Sequence, residues 1–177
     1  GTLYAMGRNN QGQLGVSNAL DHKLPATVMN NVKEVAAGWS FSVYIKNDGS
    51  LWHMGDGQST HVQVATGVAK VAAGQNHVLF IKDDESLWGF GSNQRGQLGT
   101  GNTTFVNKSS PVKIEDSGVT AIAASQGHSL FIKSDGSLWT MGSNGNGQLG
   151  DGTNADHKTP IQIVANGVTA VAAGKNH

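Results

Sequence analysis

Short apolar runs alternate with glycine-marked turns along this chain, and one order of runs recurs several times. In the clearest copy, residues 119–124 form a run of small apolar side chains, residues 129–133 a continuously apolar run, and residues 138–141 a run with a tryptophan. Apolar runs of four to eight residues between turn residues predict β-strands. A fourth strand, residues 161–164, is expected after a long polar loop. The pattern predicts a repeated antiparallel unit of four strands, which we call A to D.

The spacing of the copies indicates the architecture. Strand A carries Val-Ala-Ala-Gly or a close variant, and its four copies end at Gly38, Gly74, Ser125 and Gly174, which are 36, 51 and 49 residues apart. Stacked repeats keep a constant packing unit and vary in length only in their loops. A repeat of about 45 residues suits a propeller blade of four strands, and small side chains suit its innermost strand, where blades converge. We therefore predict an all-β fold, a β-propeller of four-stranded antiparallel blades.

The alignment of the copies predicts one propeller segment over residues 1–177, with three complete blades and two partial ones. The complete blades are residues 32–65, 68–114 and 119–164, and the partial ones are residues 1–31 (strands C and D) and 168–177 (strand A). A blade built jointly from the two ends would lack a strand B. Two interpretations stay open: a segment of a longer ring, or a unit that assembles with further copies. We expect the isolated chain to self-associate, since an incomplete ring leaves a blade face and strand edges uncovered.

Composition excludes several classes of function. Twelve Lys plus Arg balance twelve Asp plus Glu, and neither sign is concentrated anywhere, so the chain lacks the basic surface that nucleic acid or an anionic membrane requires. The absence of cysteine excludes disulfides and thiolate chemistry and leaves the redox compartment open. No stretch approaches the roughly 18 apolar residues of a membrane span. We expect neither a nucleic-acid nor a membrane partner.

One long motif resembles the repeat of a known family. Residues 128–144 read His-Ser-Leu-Phe-Ile-Lys-Ser-Asp-Gly-Ser-Leu-Trp-Thr-Met-Gly-Ser-Asn, and Gly-Gln-Leu-Gly recurs at residues 12–15, 96–99 and 147–150. This pattern resembles the regulator of chromosome condensation family over nearly the whole chain. The resemblance implies a seven-bladed β-propeller, of which about half is present, and protein binding through loops on a rigid ring. The low charge and the Asn-, Gly- and Thr-rich loops look like those of bacterial members, which favours a secreted or cell-surface location.

No motif supports catalysis, a cofactor or a metal. A Gly-x-Gly-x-x-Gly motif occupies residues 145–150, but a polar loop follows it instead of the helix that a dinucleotide site requires. His77, His128 and His177 hold one repeat position on separate blades, too far apart to share a metal ion. The acidic turn at residues 83–85 lacks the six to eight oxygen ligands of calcium. We predict a non-enzymatic protein.

Tryptophan positions help to separate structural from functional residues. Three of them recur at one position of strand C, and we expect them to pack in the core or between blades: Trp52, Trp88 and Trp139. Trp39 instead lies between strands A and B, where the other copies carry Gln75, Gln126 and Lys175. An exposed tryptophan with a polar rim is typical of a protein-binding hot spot. The alternative, that Trp39 packs over Phe41, stays open.

The connections between strands predict which face binds a partner. In an antiparallel four-stranded blade the A–B and C–D connections emerge at the same end, and here that end carries the long C–D loops 8–24, 92–110 and 143–159. Binding residues gather on loops that a rigid scaffold holds. In one blade the C–D connection shrinks to residues 56–60, which predicts a notch beside Trp39.

We therefore predict a protein-binding scaffold that recognises its partner through this loop-rich face. The expected contact residues are Trp39, Phe41, Gln75, Arg95, Asn107, Lys108 and Gln126. The partner is expected to sit in the notch against Trp39, Arg95 and Asn107 to Lys108. Two alternatives stay open: an architectural repeat segment of a large bacterial surface or adhesive protein, and a propeller that inhibits an enzyme.

Overall fold

The computed structural model of the chain describes residues 1–177, apart from the side chain of Ser59. Fourteen strands make four antiparallel sheets. The first sheet consists of β1 (Leu3–Gly7) and β2 (His22–Met29). The second consists of β3 (Val32–Ala37), β4 (Phe41–Lys46), β5 (Leu51–Gly55) and β6 (Gln58–Ala65), and the third of β7 (Val68–Ala73), β8 (His77–Lys82), β9 (Leu87–Gly91) and β10 (Val112–Glu115). The fourth consists of β11 (Val119–Ala124), β12 (His128–Lys133), β13 (Leu138–Gly142) and β14 (His157–Val164).

Each complete sheet has its strands side by side in chain order, as short hairpin connections require. The B strands are the most buried elements, with five consecutive buried residues in β8 and in β12, and β8 packs between the second and fourth sheets. This explains their continuously apolar sequences. The prediction of an all-β fold made of four-stranded antiparallel propeller blades is confirmed.

The hydrophobic core lies between the sheets. Phe41 and Val43 of the second sheet form one buried cluster with Val78, Phe80 and Phe90 of the third. A second cluster joins the third sheet to the fourth, and a third joins the first to the second. Full burial of such side chains contributes about 1.5–3 kcal/mol each. Each sheet is therefore stabilised mainly by its neighbours, as expected for stacked repeats.

The B–C turns explain why the strand C tryptophans recur. In the second sheet the Asp48 carboxylate accepts hydrogen bonds from the Ser50 amide and hydroxyl, and the Ser50 Oγ accepts one from the Trp52 indole at 2.8 Å. The Lys46 ammonium lies 4.3 Å above the same indole ring. The third and fourth sheets repeat this arrangement at Trp88 and Trp139. These tryptophans are half-buried and pack against the clusters between sheets, within the expected core or inter-blade location.

Two local predictions need correction. The C–D connection predicted at residues 56–60 is a two-residue turn, because Gly55 already pairs with Gln58 and β6 begins there. Asp56 and Gly57 have φ angles of 55° and 82°, the left-handed values of the hairpin turn that matches strand twist. Residues 168–177, the expected strand A, form no paired strand in the structure, since no strand B lies beside them. Gly174 N nevertheless donates to His177 O at 2.8 Å, as at the other A–B turns.

Candidate functional site

The A–B turns of successive sheets are joined to one another by backbone hydrogen bonds. Trp39 N donates to Gln75 O at 3.0 Å, and Gln75 N donates to Ser125 O at 2.9 Å. Each turn is also closed internally, as where Gly38 N donates to Phe41 O. The turns thus form a fixed ladder at one end of the sheets. Side chains at these positions are presented by a rigid scaffold, which limits the entropy that a partner would have to remove.

The A–B turns enclose a central depression of about 550 Å³. It is lined by Trp39, Gln75, Gln126 and Lys175 together with small residues of the A strands. Trp39 is 66% exposed, whereas Phe41 is only 4% exposed and stacks on His53 with ring centroids 5.2 Å apart. Of the two readings of Trp39, the geometry favours an exposed indole over one packed on Phe41.

A second depression, the notch, lies between the second and third sheets. Its volume is about 520 Å³. Its floor is formed by Phe41, His53, His77 and Phe90, all nearly buried, and Phe105 stands at its rim with 65% of its surface exposed. Its polar lining groups are Asp56, Asn76, Ser92, Gln94, Asn107 and Lys108. The two-residue Asp56–Gly57 turn is much shorter than the other C–D loops, such as residues 92–111 and 143–156, and so leaves this space open.

A short polar network crosses the notch through the buried His53. His53 Nε2 lies 3.1 Å from Asp56 Oδ2, and His53 Nδ1 lies 3.3 Å from the Lys108 ammonium. Since an ammonium only donates, Nδ1 accepts and Nε2–H donates to Asp56. Partial burial alone would raise the pKa of Asp56, but hydrogen bonds from His53 and Ser40 outweigh it and hold that pKa below its usual value. The carboxylate therefore stays ionised at neutral pH.

A third depression, the seam, lies between the third and fourth sheets. It is lined mostly by amides and hydroxyls, including Gln75, Gln94, Gln126 and Gln148, with the Arg95 guanidinium among them. Arg95 is largely exposed and lies 3.4 Å from Asp156 of the neighbouring C–D loop. An exposed pair of this kind contributes little to stability. The guanidinium is therefore held loosely and can approach a ligand.

Buried asparagines hold the long C–D loops in shape. Asn9, Asn93 and Asn144 each accept a hydrogen bond from the backbone of the leucine five residues later. The Asn144 amide also donates to Asp151. Hydrogen bonds from Thr153 are the main reason that the pKa of Asp151 lies below its usual value. Sequence reasoning missed these asparagines, although each stands at the same distance before Gly-Gln-Leu-Gly. These hydrogen bonds restrain the long loops at equivalent points of three sheets.

The burial and hydrogen bonds of the repeated histidines indicate a structural role. His77 is fully buried, and its Nε2 lies 2.8 Å from Ser129 Oγ of the next sheet, whose hydroxyl in turn donates to Gln97 O. Desolvation lowers the pKa of His77 to about 3. His128 Nδ1 lies 2.7 Å from Ser125 Oγ, and burial likewise lowers its pKa. Both imidazoles are therefore neutral at physiological pH.

The predicted contact residues all lie at this end of the sheets, but in separate depressions. Trp39 lines the central depression, Phe41, Asn107 and Lys108 line the notch, and Arg95 lines the seam. Gln75 and Gln126 line both the central depression and the seam. A depression lies beside the short Asp56–Gly57 turn, as the notch was expected to, but Trp39 and Arg95 are not part of its lining. The central residues of the notch, His53 and Asp56, were not predicted.

Metal and membrane features can be assessed over the described part of the chain. Those residues include no group of three or more histidine, cysteine, aspartate or glutamate side chains placed to hold a metal ion. They also include no helix of the length and hydrophobicity needed to cross a bilayer.

Comparison with known proteins identifies similar sequences and folds. The family described as regulator of chromosome condensation (RCC1) repeat matches residues 1–45, 84–132 and 135–177. A second description of the same repeat matches residues 32–59, 68–97 and 119–148. Together these matches extend from the first residue to the last.

Solved structures share the fold at low sequence identity. Human WBSCR16 is 19% identical with a TM-score of 0.85, and the match covers 99% of this chain and 52% of that protein. Yeast RCC1 (Prp20) bound to Kap60 is 20% identical with a TM-score of 0.79, covering 93% and 45%. The Saccharomyces cerevisiae Prp20p structure, described with its binding to Gsp1p and histones, is 21% identical with a TM-score of 0.78, covering 93% and 47%. The chain thus spans about half the length of these proteins.

Proposed function

Since the chain belongs to the regulator of chromosome condensation (RCC1) repeat family, we propose that it is a non-enzymatic segment of β-propeller that binds a protein partner through its A–B turns and C–D loops. Protein binding is described for one of the similar proteins: yeast Prp20 is described in complex with Kap60 and as binding Gsp1p and histones. At about one fifth identity, that likeness supports the class of function and not those particular partners.

The observation that carries the proposal is the exposed indole of Trp39 on a rigid backbone ladder. Tryptophan is the side chain most enriched at interface hot spots, where truncation costs about 2 kcal/mol or more. Trp39 is not needed for the fold of its own sheet, because the equivalent positions carry Gln75, Gln126 and Lys175. Amide side chains surround it in the central depression, which matches the polar rim of a protein-binding patch.

The test is to capture a partner with the unaltered chain and measure its affinity for variants by titration calorimetry. Trp39→Ala is expected to weaken binding about 30-fold, the equivalent of 2 kcal/mol. Leu24→Ala is the control, because Leu24 is 78% exposed but lies on β2, outside the three depressions. Unchanged affinity for Trp39→Ala, together with weaker binding by Asp135→Ala in a B–C turn, would place the site at the opposite end.

A second proposal, self-association, rests on the first sheet. Met6 on β1 is 59% exposed, whereas the equivalent Met54, Phe90 and Met141 are 3% exposed or less. Those counterparts are buried by the preceding sheet. We propose that a second copy of the chain covers Met6 when the chain is isolated.

A further inference from the structure

The notch has the dimensions and shape of a ligand pocket. Its volume of about 520 Å³ falls within the roughly 300–1,000 Å³ that is usual for pockets binding small molecules or single side chains. It differs from the central depression and the seam because its floor is aromatic. The equivalent positions of the other sheets carry no such set: where β5 has His53, β9 has Gly89 and β13 has Thr140. The pocket is a feature of this pair of sheets and not of the repeat.

The floor and wall of the notch favour a flat apolar group. Phe41 and His53 stack with their ring planes 17° apart, and Phe90 meets the edge of His53 with centroids 6.1 Å apart. Phe105 leaves about two thirds of its surface exposed above this floor. An inserted aromatic ring would gain contacts with ring faces and edges, and such aromatic contacts are more favourable than the burial of apolar area alone. The phenyl ring of Phe105 would also lose water on insertion.

The only cation that lines the notch among the described residues is the Lys108 ammonium. Both oxygens of the Asp56 carboxylate already have partners, Ser40 Oγ on Oδ1 and His53 Nε2 on Oδ2. The Lys108 ammonium has three donor hydrogens, and among the described residues its side-chain contact is His53 Nδ1 at 3.3 Å. Asn107 Oδ1 is occupied by the Ser109 backbone and hydroxyl, which leaves its NH₂ group to donate. Lys108 and Asn107 can therefore donate to a ligand, and opposite a lysine the favoured acceptor is an anion.

We propose that the notch binds an aromatic carboxylate, presented by the protein partner as an aromatic side chain next to a carboxylate group. The ring packs against Phe41, Phe90 and Phe105, and the carboxylate accepts hydrogen bonds from the Lys108 ammonium. His53 acts as a positioning residue, because it holds Lys108 from one nitrogen and Asp56 from the other. The inference rests on the proposed function for the source of the aromatic carboxylate. The binding of a small aromatic acid does not depend on that source.

The experiment titrates the whole chain with N-acetylphenylalanine and, separately, with its uncharged amide, followed by backbone amide NMR shifts. The acid is expected to shift residues around the notch, with the amide binding about tenfold more weakly, the loss of one charge-assisted hydrogen bond. Lys108→Met should remove the preference for the acid, and Phe105→Ala should weaken both probes. Lys23→Met, on β2 outside the notch, is the matched control and should change neither. Lys108 and Phe105 are at least partly exposed, so these variants should keep the fold.

Equal binding of acid and amide, or an acid preference that survives Lys108→Met, would overturn the proposal. An acetylated peptide with phenylalanine followed by aspartate tests the macromolecular source: binding that is lost in Lys108→Met supports it, and failure to bind while the small acid binds overturns it. Trp39→Ala should leave binding of both small probes unchanged. If Trp39→Ala loses partner binding but still binds the small probes, the partner site at Trp39 and the ligand pocket in the notch are distinguished, and the two proposals can fail separately.

Discussion

His77 couples the stability of the chain to acid pH at the scale of one residue. Its imidazole is completely buried and neutral, with Nε2–H donating to Ser129 Oγ, and desolvation lowers its pKa to about 3. In the unfolded chain the ordinary pKa of about 6.5 applies. Below pH 6.5 the unfolded state therefore binds a proton that the folded state does not. The contribution of His77 to the free energy of unfolding therefore has its full value above pH 6.5 and falls as the pH decreases toward 3.

We expect His77→Phe to flatten this acid dependence. The second sheet already carries phenylalanine at the equivalent position, Phe41, so the substitution suits the site. Between pH 6 and pH 4, one proton taken up only by the unfolded state contributes a slope of about 1.4 kcal/mol per pH unit, and the variant should lose that contribution. Urea unfolding at several pH values measures it. A slope equal to that of the unaltered chain would contradict the burial argument for His77.

Residue-scale prediction from sequence succeeded where copies could be compared. Trp39 stood out because three copies lack tryptophan at its position, and the structure places it two-thirds exposed. His53 and Asp56 were missed because each looks like ordinary variation within its own strand or turn. Their importance comes from a contact with Lys108, which lies 55 residues further along the chain. No local pattern encodes such a contact.

The B–C turn is the element in which sequence and backbone strain are most directly linked. Gly49 and Gly136 adopt φ angles of 77° in the second and fourth sheets, whereas the third sheet places Glu85 at this position with a φ of 63°. The left-handed conformation destabilises the folded state by about 1–2 kcal/mol for a residue with a side chain. Glu85 N still donates to Lys82 O at 2.9 Å, so the turn keeps its form despite the strain.

Glu85→Gly is therefore expected to stabilise the chain. Relief of the backbone strain should exceed the added freedom of glycine in the unfolded state, for a net gain of about 0.5–1 kcal/mol. Gly49→Ala is the matched control and should destabilise by about 1 kcal/mol, because its added Cβ meets only ordinary contacts at 3.6 Å and its cost is conformational. Urea unfolding at neutral pH tests both. A loss of stability in Glu85→Gly would mean that the glutamate side chain makes a compensating interaction.

At the element scale the strands could be predicted because each strand of the repeat occurs several times in the sequence with the same apolar pattern. The turn at Asp56–Gly57 was predicted as a longer loop, since Gln58 begins β6 with a polar side chain and apolar periodicity gives no signal there. The start of β14 at His157, four residues before the predicted Ile161, has the same cause. Backbone pairing at the sheet edge, and not side-chain burial, determines where these strands begin.

At the scale of the whole molecule, stability and binding surface come from the stacking of sheets. Each core cluster is shared by two sheets, and each of the three depressions is bounded by elements of different sheets or turns. Sequence alone predicted one loop-rich face, because topology sends the A–B and C–D connections to the same end. It could not divide that face into a central depression, a notch and a seam. That division depends on the conformations of the folded loops, such as those held by Asn93 and Asn144.

The same stacking leads to a prediction for the first sheet, where no preceding sheet covers Met6. Covering an apolar side chain of this size stabilises the contact by about 1.5–3 kcal/mol. If the fourth sheet of another copy covers it, the contact is heterologous, since it joins unlike surfaces head to tail. We expect sedimentation velocity to show concentration-dependent species heavier than the 18.4 kDa monomer. Met6→Lys should shift the distribution to monomer without unfolding, because Met6 is already exposed, whereas Leu20→Lys in the neighbouring loop should not. A chain that stays monomeric at high concentration, or association that is insensitive to Met6→Lys, would show that a second copy does not cover this face.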